Sequence, residues 1–175
     1  MYSFVVSRDR RANVWLDEAP AADFTPSSVF TRIVKSKGAV DVVRRIAAIE
    51  ISIHLGPKTS YALLGAELVA SEADGLEVVV PVNPVGLQFA PSLALKPDEV
   101  LVGMPDEYVG AVFTGVERAV GSIGLPIRMS LRFRWAAHGL VGSSRLIFEK
   151  ASGLVVQLLT LPEDASERHI VALFD

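Results

Sequence analysis

Two neighbouring stretches hold the side chains best suited to chemistry. In the first, Arg128, Arg132 and Arg134 are interleaved with Met129, Leu131, Phe133 and Trp135. Residues at even spacing on an extended chain share a face. The guanidinium groups would then form a stripe able to hold phosphate, with no sequence reading. The solvated face of a sheet is the plainer reading of the same stripe. In the second stretch, His138-Gly139-Leu140-Val141-Gly142-Ser143-Ser144-Arg145, a glycine-rich loop enters a helix through two serines. Free backbone N–H groups and a positive helix end are the ingredients of an anion site. A flexible loop followed by an ordinary serine cap fits equally well. His138 would add charge only when protonated. The candidate anion- or RNA-contact set is Arg128, Arg132, Arg134, His138, Ser143, Ser144 and Arg145.

Motifs for catalysis are missing from the sequence. Gly56-Pro57-Lys58-Thr59 lacks the Gly-Lys adjacency of a phosphate-binding loop, and no G-x-G-x-x-G, G-x-S-x-G or H-E-x-x-H occurs. His54, His138 and His169 are far apart in sequence. There is no cysteine, so disulfides, thiolate metal sites and cysteine nucleophiles are excluded. No catalytic residue, metal or cofactor is expected.

The 175 residues are 50% hydrophobic and 21% charged. That is enough to bury a full core in one domain of ordinary size. The longest apolar runs, such as Leu154–Leu161, are far shorter than the ~18 residues that a membrane span needs. The chain turns charged by Arg8, so no signal peptide is expected. These features predict a cytoplasmic protein with no membrane partner. The net charge of −3 is uneven: about +3 over residues 1–60, −7 over 61–125 and +1 over 126–175. A general nucleic-acid binder carries a basic excess. Any RNA contact here must rest on a local patch.

The elements that must position these groups follow from periodicity. Tyr2–Ser7 and Asn13–Leu16 read as a hairpin, Asp17–Ser28 as a loop, and Phe30–Lys35 as a strand. Val40, Val43, Ile46 and Ala47 have helical spacing and predict a short helix after Gly38. Ile49, Ile51, Ile53 and Leu55 alternate with Glu50, Ser52 and His54, the pattern of a half-buried strand. Tyr61–Ala70 returns as a second strand, and Leu76–Val82 is a third. Met104-Pro105-Asp106-Glu107 starts a helix, with proline in the first turn and two acids at the positive dipole end. Val109, Val112, Val116 and Val120 form its buried face, and Gly110 and Gly115 are expected to pack closely against a sheet. Ile127–Trp135 predicts a strand with Ile127, Met129, Leu131, Phe133 and Trp135 on one side. Ser143–Leu161 fits a helix or a hairpin. His169–Phe174 reads as a final strand.

The run from Met104 through Tyr108-Val109-Gly110-Ala111-Val112 to Gly115-Val116-Glu117-Arg118-Ala119 resembles the first helix of domain IV in elongation factor G and related translational GTPases. That family segment reads I-P-x-E-Y-I-x-A-V-x-x-G-I-x-E-A. The order of the next segments is similar too: Leu125-Pro126, a strand, a loop with a histidine, and Ser143-Ser144 before a second helix. The resemblance covers about residues 60–175 and implies the ribosomal protein S5 domain 2-like fold, with a left-handed βαβ unit and a helix over 143–159. It also implies that the His138 loop sits at the tip that reaches the ribosomal decoding centre. The chain departs from the family in having no GTPase domain and in carrying Leu140 and Val141 where the family loop is polar.

The expected fold is α+β: a mostly antiparallel sheet with helices Pro105–Val120 and Ser143–Leu159 on one face, in a domain spanning 49–175. Residues 1–48 form a β-rich N-terminal extension packed on it. Three functions are consistent with the sequence. One is a non-enzymatic module that binds RNA or the ribosome through the arginine stripe and the His138 loop. A second is a protein-interaction or oligomerisation module, working through apolar loops and sheet edges without nucleic acid. The third is a small-molecule enzyme with its site at the Gly142–Ser144 helix start. The acidic net charge favours the second over the first.

Overall fold

The alternation at Ile49–His54 folds as the long strand β4 (Ile46–Leu55), which pairs antiparallel with β5 (Lys58–Ala70). Ile49 and Ile51 enter the core, while Glu50 and Ser52 face the other side of the sheet. The computed structural model describes residues 1–175 except 8, 37, 39–41, 43, 56, 57 and 175. The short helix expected after Gly38 falls largely outside the described residues, and its Ile46 and Ala47 belong to β4.

Six further strands complete one sheet: β1 (Tyr2–Ser7), β2 (Arg10–Leu16), β3 (Ser28–Val34), β6 (Leu76–Val82), β7 (Val100–Val102) and β8 (Met129–Gly139). Their order is β1-β2-β4-β5-β8-β6-β3, with β7 beside the far half of β8. Every pairing is antiparallel except β6 with β8. The sheet therefore joins both halves of the chain, and the first 48 residues are not a separate layer. They supply both edge strands, and a boundary at 48–49 would cut β4.

Two helices, α1 (Val109–Ile123) and α2 (Arg145–Leu159), cover one face. This is the α+β arrangement that periodicity predicts. A single 3-10 turn, Asp106–Tyr108, leads into α1, and Val109, Val112, Val116 and Val120 are all buried. Gly115 is tight, but against α2 rather than the sheet: a Cβ there would clash with the Glu149 carbonyl oxygen. Gly110 faces open space. Ser143–Leu161 resolves as helix because both flanks of α2 are apolar: Ile147, Phe148, Ala151, Leu154, Val155 and Leu158 are buried. His169–Phe174 is not a strand. It forms the short helix α3 (Glu167–Val171) and a final 3-10 turn, which tuck Ile170 and Phe174 into the core.

The opposite face holds a second, smaller core. Trp15, Ala48, Tyr61, Leu63, Trp135 and Ala137 meet Ala22, from the segment after β2, and Phe89, from the segment between β6 and β7. No helix among the described residues is long and apolar enough to cross a membrane.

Candidate functional site

Strand β8 carries the arginine stripe, and its regular alternation holds only from Met129 to Phe133. Arg128 has φ +60° and sits before the strand, where its N–H donates to the Gly75 carbonyl and its carbonyl accepts from the Ser71 N–H. That left-handed residue breaks the alternation, so Ile127 is exposed rather than buried. A bulge interrupts the other end. Ala66 pairs with Phe133 and Gly65 with Trp135, leaving Arg134 as the extra residue. Phe133 stays in the helix-side core, but Trp135 crosses to the second core. Gly65 makes room for the indole, since a Cβ there would come within 3.1 Å of its ring.

Arg132 and Arg134 both lie exposed on the sheet face away from the helices. Arg134 forms an ion pair with Glu67 on β5 at 3.1 Å. Ten residues of extended chain separate Arg128 from His138, about 30 Å at the usual rise. Arg128 and the loop thus do not converge on one patch.

His138 is in β8, not in a loop. It is 4% exposed and pairs opposite Leu101 of β7, and its Nδ1 is 2.9 Å from the Gly103 carbonyl oxygen. Ser143 is committed as well: its hydroxyl donates to the Tyr61 carbonyl at 2.7 Å and accepts from the Gly139 N–H at 2.9 Å. Ser144 stands at the N-cap of α2 with no side-chain capping bond, and it and Arg145 are exposed. The N–H groups that would make the loop an anion site already have an anion. Asp98 accepts from Val141 and Gly142, each at 2.9 Å. Gly139 and Gly142 permit this, because a Cβ at either would clash with the Asp98 carboxylate. The cleft beside it, about 390 Å³, is lined by Thr59, Ser60, Lys96, Asp98, Ser143 and Ser144.

A buried carboxylate that sequence reasoning leaves unmarked lies on the same face. Glu50 is fully buried and accepts from Tyr61 Oη (2.9 Å), the Leu93 N–H (2.7 Å) and Asn13 Nδ2 (2.7 Å). Burial pushes its carboxyl above the usual range, against the opposing pull of these three bonds. The Tyr61 phenol is pushed up by the same burial and by the Glu50 charge beside it. The Leu93 bond fastens the segment between β6 and β7 onto the sheet. This group acts as a structural clasp.

Strand β3 presents an open edge with exposed apolar side chains. Ser28 through Ile33 are all exposed, with Val29 at 56%, Phe30 at 40% and Ile33 at 51%. β3 pairs with β6 in unbroken register over all seven residues, and among the described residues nothing pairs with its other side. Half its backbone N–H and C=O groups therefore face outward. The far edge, β1, is by contrast interrupted by an irregularity between Val5 and Ser7. Phe30–Lys35 reads as a strand from sequence, and the observed strand is Ser28–Val34, but edge position is a property of the whole sheet.

A scan against models of known protein families finds no match to this chain, and a search of curated proteins finds none either.

Proposed function

We propose that this chain is a cytoplasmic, non-enzymatic protein-interaction module, and that β3 is its docking edge. The observation that carries the reading is the state of that edge: regular, uncovered among the described residues, and bearing three exposed apolar side chains. Natural sheets guard their edges with bulges, proline, lysine or a covering element. β3 has no proline or lysine and no register break, and its one charge, Arg32, is turned to Glu117 on α1 at 2.9 Å. An edge of this kind accepts a strand from a partner, main-chain hydrogen bonds giving affinity and alternate side chains giving selectivity.

RNA or ribosome binding is the second reading. The pair Arg132 and Arg134 on the open face supports it, as does the succession α1-β8-α2, a helix, a strand and a second helix in the order that the resemblance to elongation factor G domain IV implies. Against it stand the Glu67 pair, the buried His138 and the Asp98-filled loop.

The test compares pull-downs from native lysate using wild type, a Val29→Lys/Ile33→Lys variant and an Arg132→Ala/Arg134→Ala variant. Both variants change exposed residues and should melt like wild type. The expected outcome is protein recovered without nucleic acid, lost in the lysine variant and kept in the alanine variant. Nuclease-sensitive RNA recovered by wild type and lost in the alanine variant would replace this reading with the second.

A further inference from the structure

Resting on the docking edge proposed above, we infer that its occupant is a second copy of this chain, with β3 paired antiparallel to β3 about Thr31. The strand reads Ser28-Val29-Phe30-Thr31-Arg32-Ile33-Val34. Reversed about its centre, Val29 falls opposite Ile33 of the copy, Phe30 opposite Arg32, and Thr31 opposite itself.

These pairs lie on the correct faces. Val29, Thr31 and Ile33 register with Pro81, Val79 and Glu77 of β6, on the sheet face away from the helices. Phe30 and Arg32 register with Val80 and Val78, on the helix side. Directly opposed residues of paired strands share a face and touch. Val29 and Ile33 would cover each other twice, once on each side of the axis. Arg32 is already held with its guanidinium 4.3 Å from the Phe113 ring centroid and paired to Glu117. Phe30 of the copy would bring a second ring to that cation, an attractive cation–π contact.

Other registers lose this match. Centring on Arg32 sets like charges against each other. Centring on Phe30 leaves Val29 opposite Thr31 and Ser28 opposite Arg32. The register about Thr31 alone covers the apolar side chains without opposing like charges. It would add about six to eight main-chain hydrogen bonds across the axis. The two sheets would join as one, with both helical layers on the same side. Such a contact is isologous and closed, so it stops at the dimer.

The native chain has no cysteine, so single cysteines report the register cleanly. Under mild oxidation, Thr31→Cys should give a covalent dimer, because opposed residues on paired strands fall within disulfide reach. Ser28→Cys should not, since it would lie about 20 Å from its own copy. Sedimentation equilibrium of wild type should show concentration-dependent dimerisation. Thr31→Lys, which puts like charges across the axis, should weaken it by tenfold or more, with an unchanged melting temperature in solutions dilute enough to be monomeric. Equal cross-linking at both positions would overturn the inference, as would none at Thr31→Cys or a wild type that stays monomeric to high concentration. If self-pairing fails while a different protein is recovered through β3, the docking-edge reading survives. If neither occurs, both fall.

Discussion

Glu50 shows how one carboxylate can be both an anchor and a liability. Its folded carboxyl titrates above the ordinary range because burial disfavours the charge. The native state therefore holds a proton where the unfolded chain has released it. The contribution of this group is favourable at acid pH. It declines as pH rises from the ordinary carboxylate value to the raised one, then stays level. Glu50→Gln should flatten that decline, and urea unfolding at several pH values from about 4 to about 8 would show it. Tyr61→Phe removes one bond to a buried acceptor and should cost about 1.5–3 kcal/mol in the same assay. Asp98→Ala leaves the Val141 and Gly142 amides unpaired, so their hydrogen exchange should quicken and stability should fall by about 1–3 kcal/mol. Little in the chain's pattern warns of either carboxylate. Glu50 occupies the polar side of an alternating strand, where a solvated acid is the ordinary expectation. Asp98 meets its loop only through the fold, some forty residues away in sequence.

At the scale of the element, α1 and α2 lock through a close crossing at Gly115. Gly115→Ala would drive a methyl group into the Glu149 carbonyl and the Ser152 hydroxyl. It should destabilise by at least about 2 kcal/mol, as overpacking does. Gly110→Ala meets nothing within 4 Å and should stabilise by up to about 1 kcal/mol through helix propensity. Thermal melts of the two variants should thus move in opposite directions. Val112→Asp, placing an unpaired charge in the core, should cost at least about 3 kcal/mol. α1 is legible in the sequence because its signals are local, a proline-acid start and valines at helical spacing, whereas the pattern over 143–161 suits a hairpin as well as the helix α2. β8 is legible only in its middle. The left-handed Arg128 and the bulge at Arg134 each change which way the following side chains face. Neither is a matter of residue type: arginine carries no preference for a left-handed backbone or a bulge. The terminal segment 169–174 reads as a strand and folds as helix because a short apolar run suits either equally well.

At the scale of the whole molecule, strand order is what sequence could not supply. Hydrophobic alternation identifies a strand but not its neighbours, so nothing in Ser28–Val34 reveals that it ends the sheet. Nor does anything in Met129–Gly139 reveal that it lies in the middle. That central position has a consequence in time. β4 and β5 close as a local hairpin, and β1 and β2 can join them early, but β5 pairs with β8 only across the stretch from Leu63 to Ala137. β6 likewise waits for β8, since their parallel contact needs the α1 crossover to be complete. A chain emerging from synthesis would hold a half-sheet with its growing edge bare and its apolar face uncovered until residue 139 is available. Loop-closure entropy of this kind slows folding, so refolding from urea should take milliseconds to seconds rather than microseconds. A chain halted after Gly124 should fail to fold and should precipitate, and synthesis that pauses there should make it depend on holding chaperones.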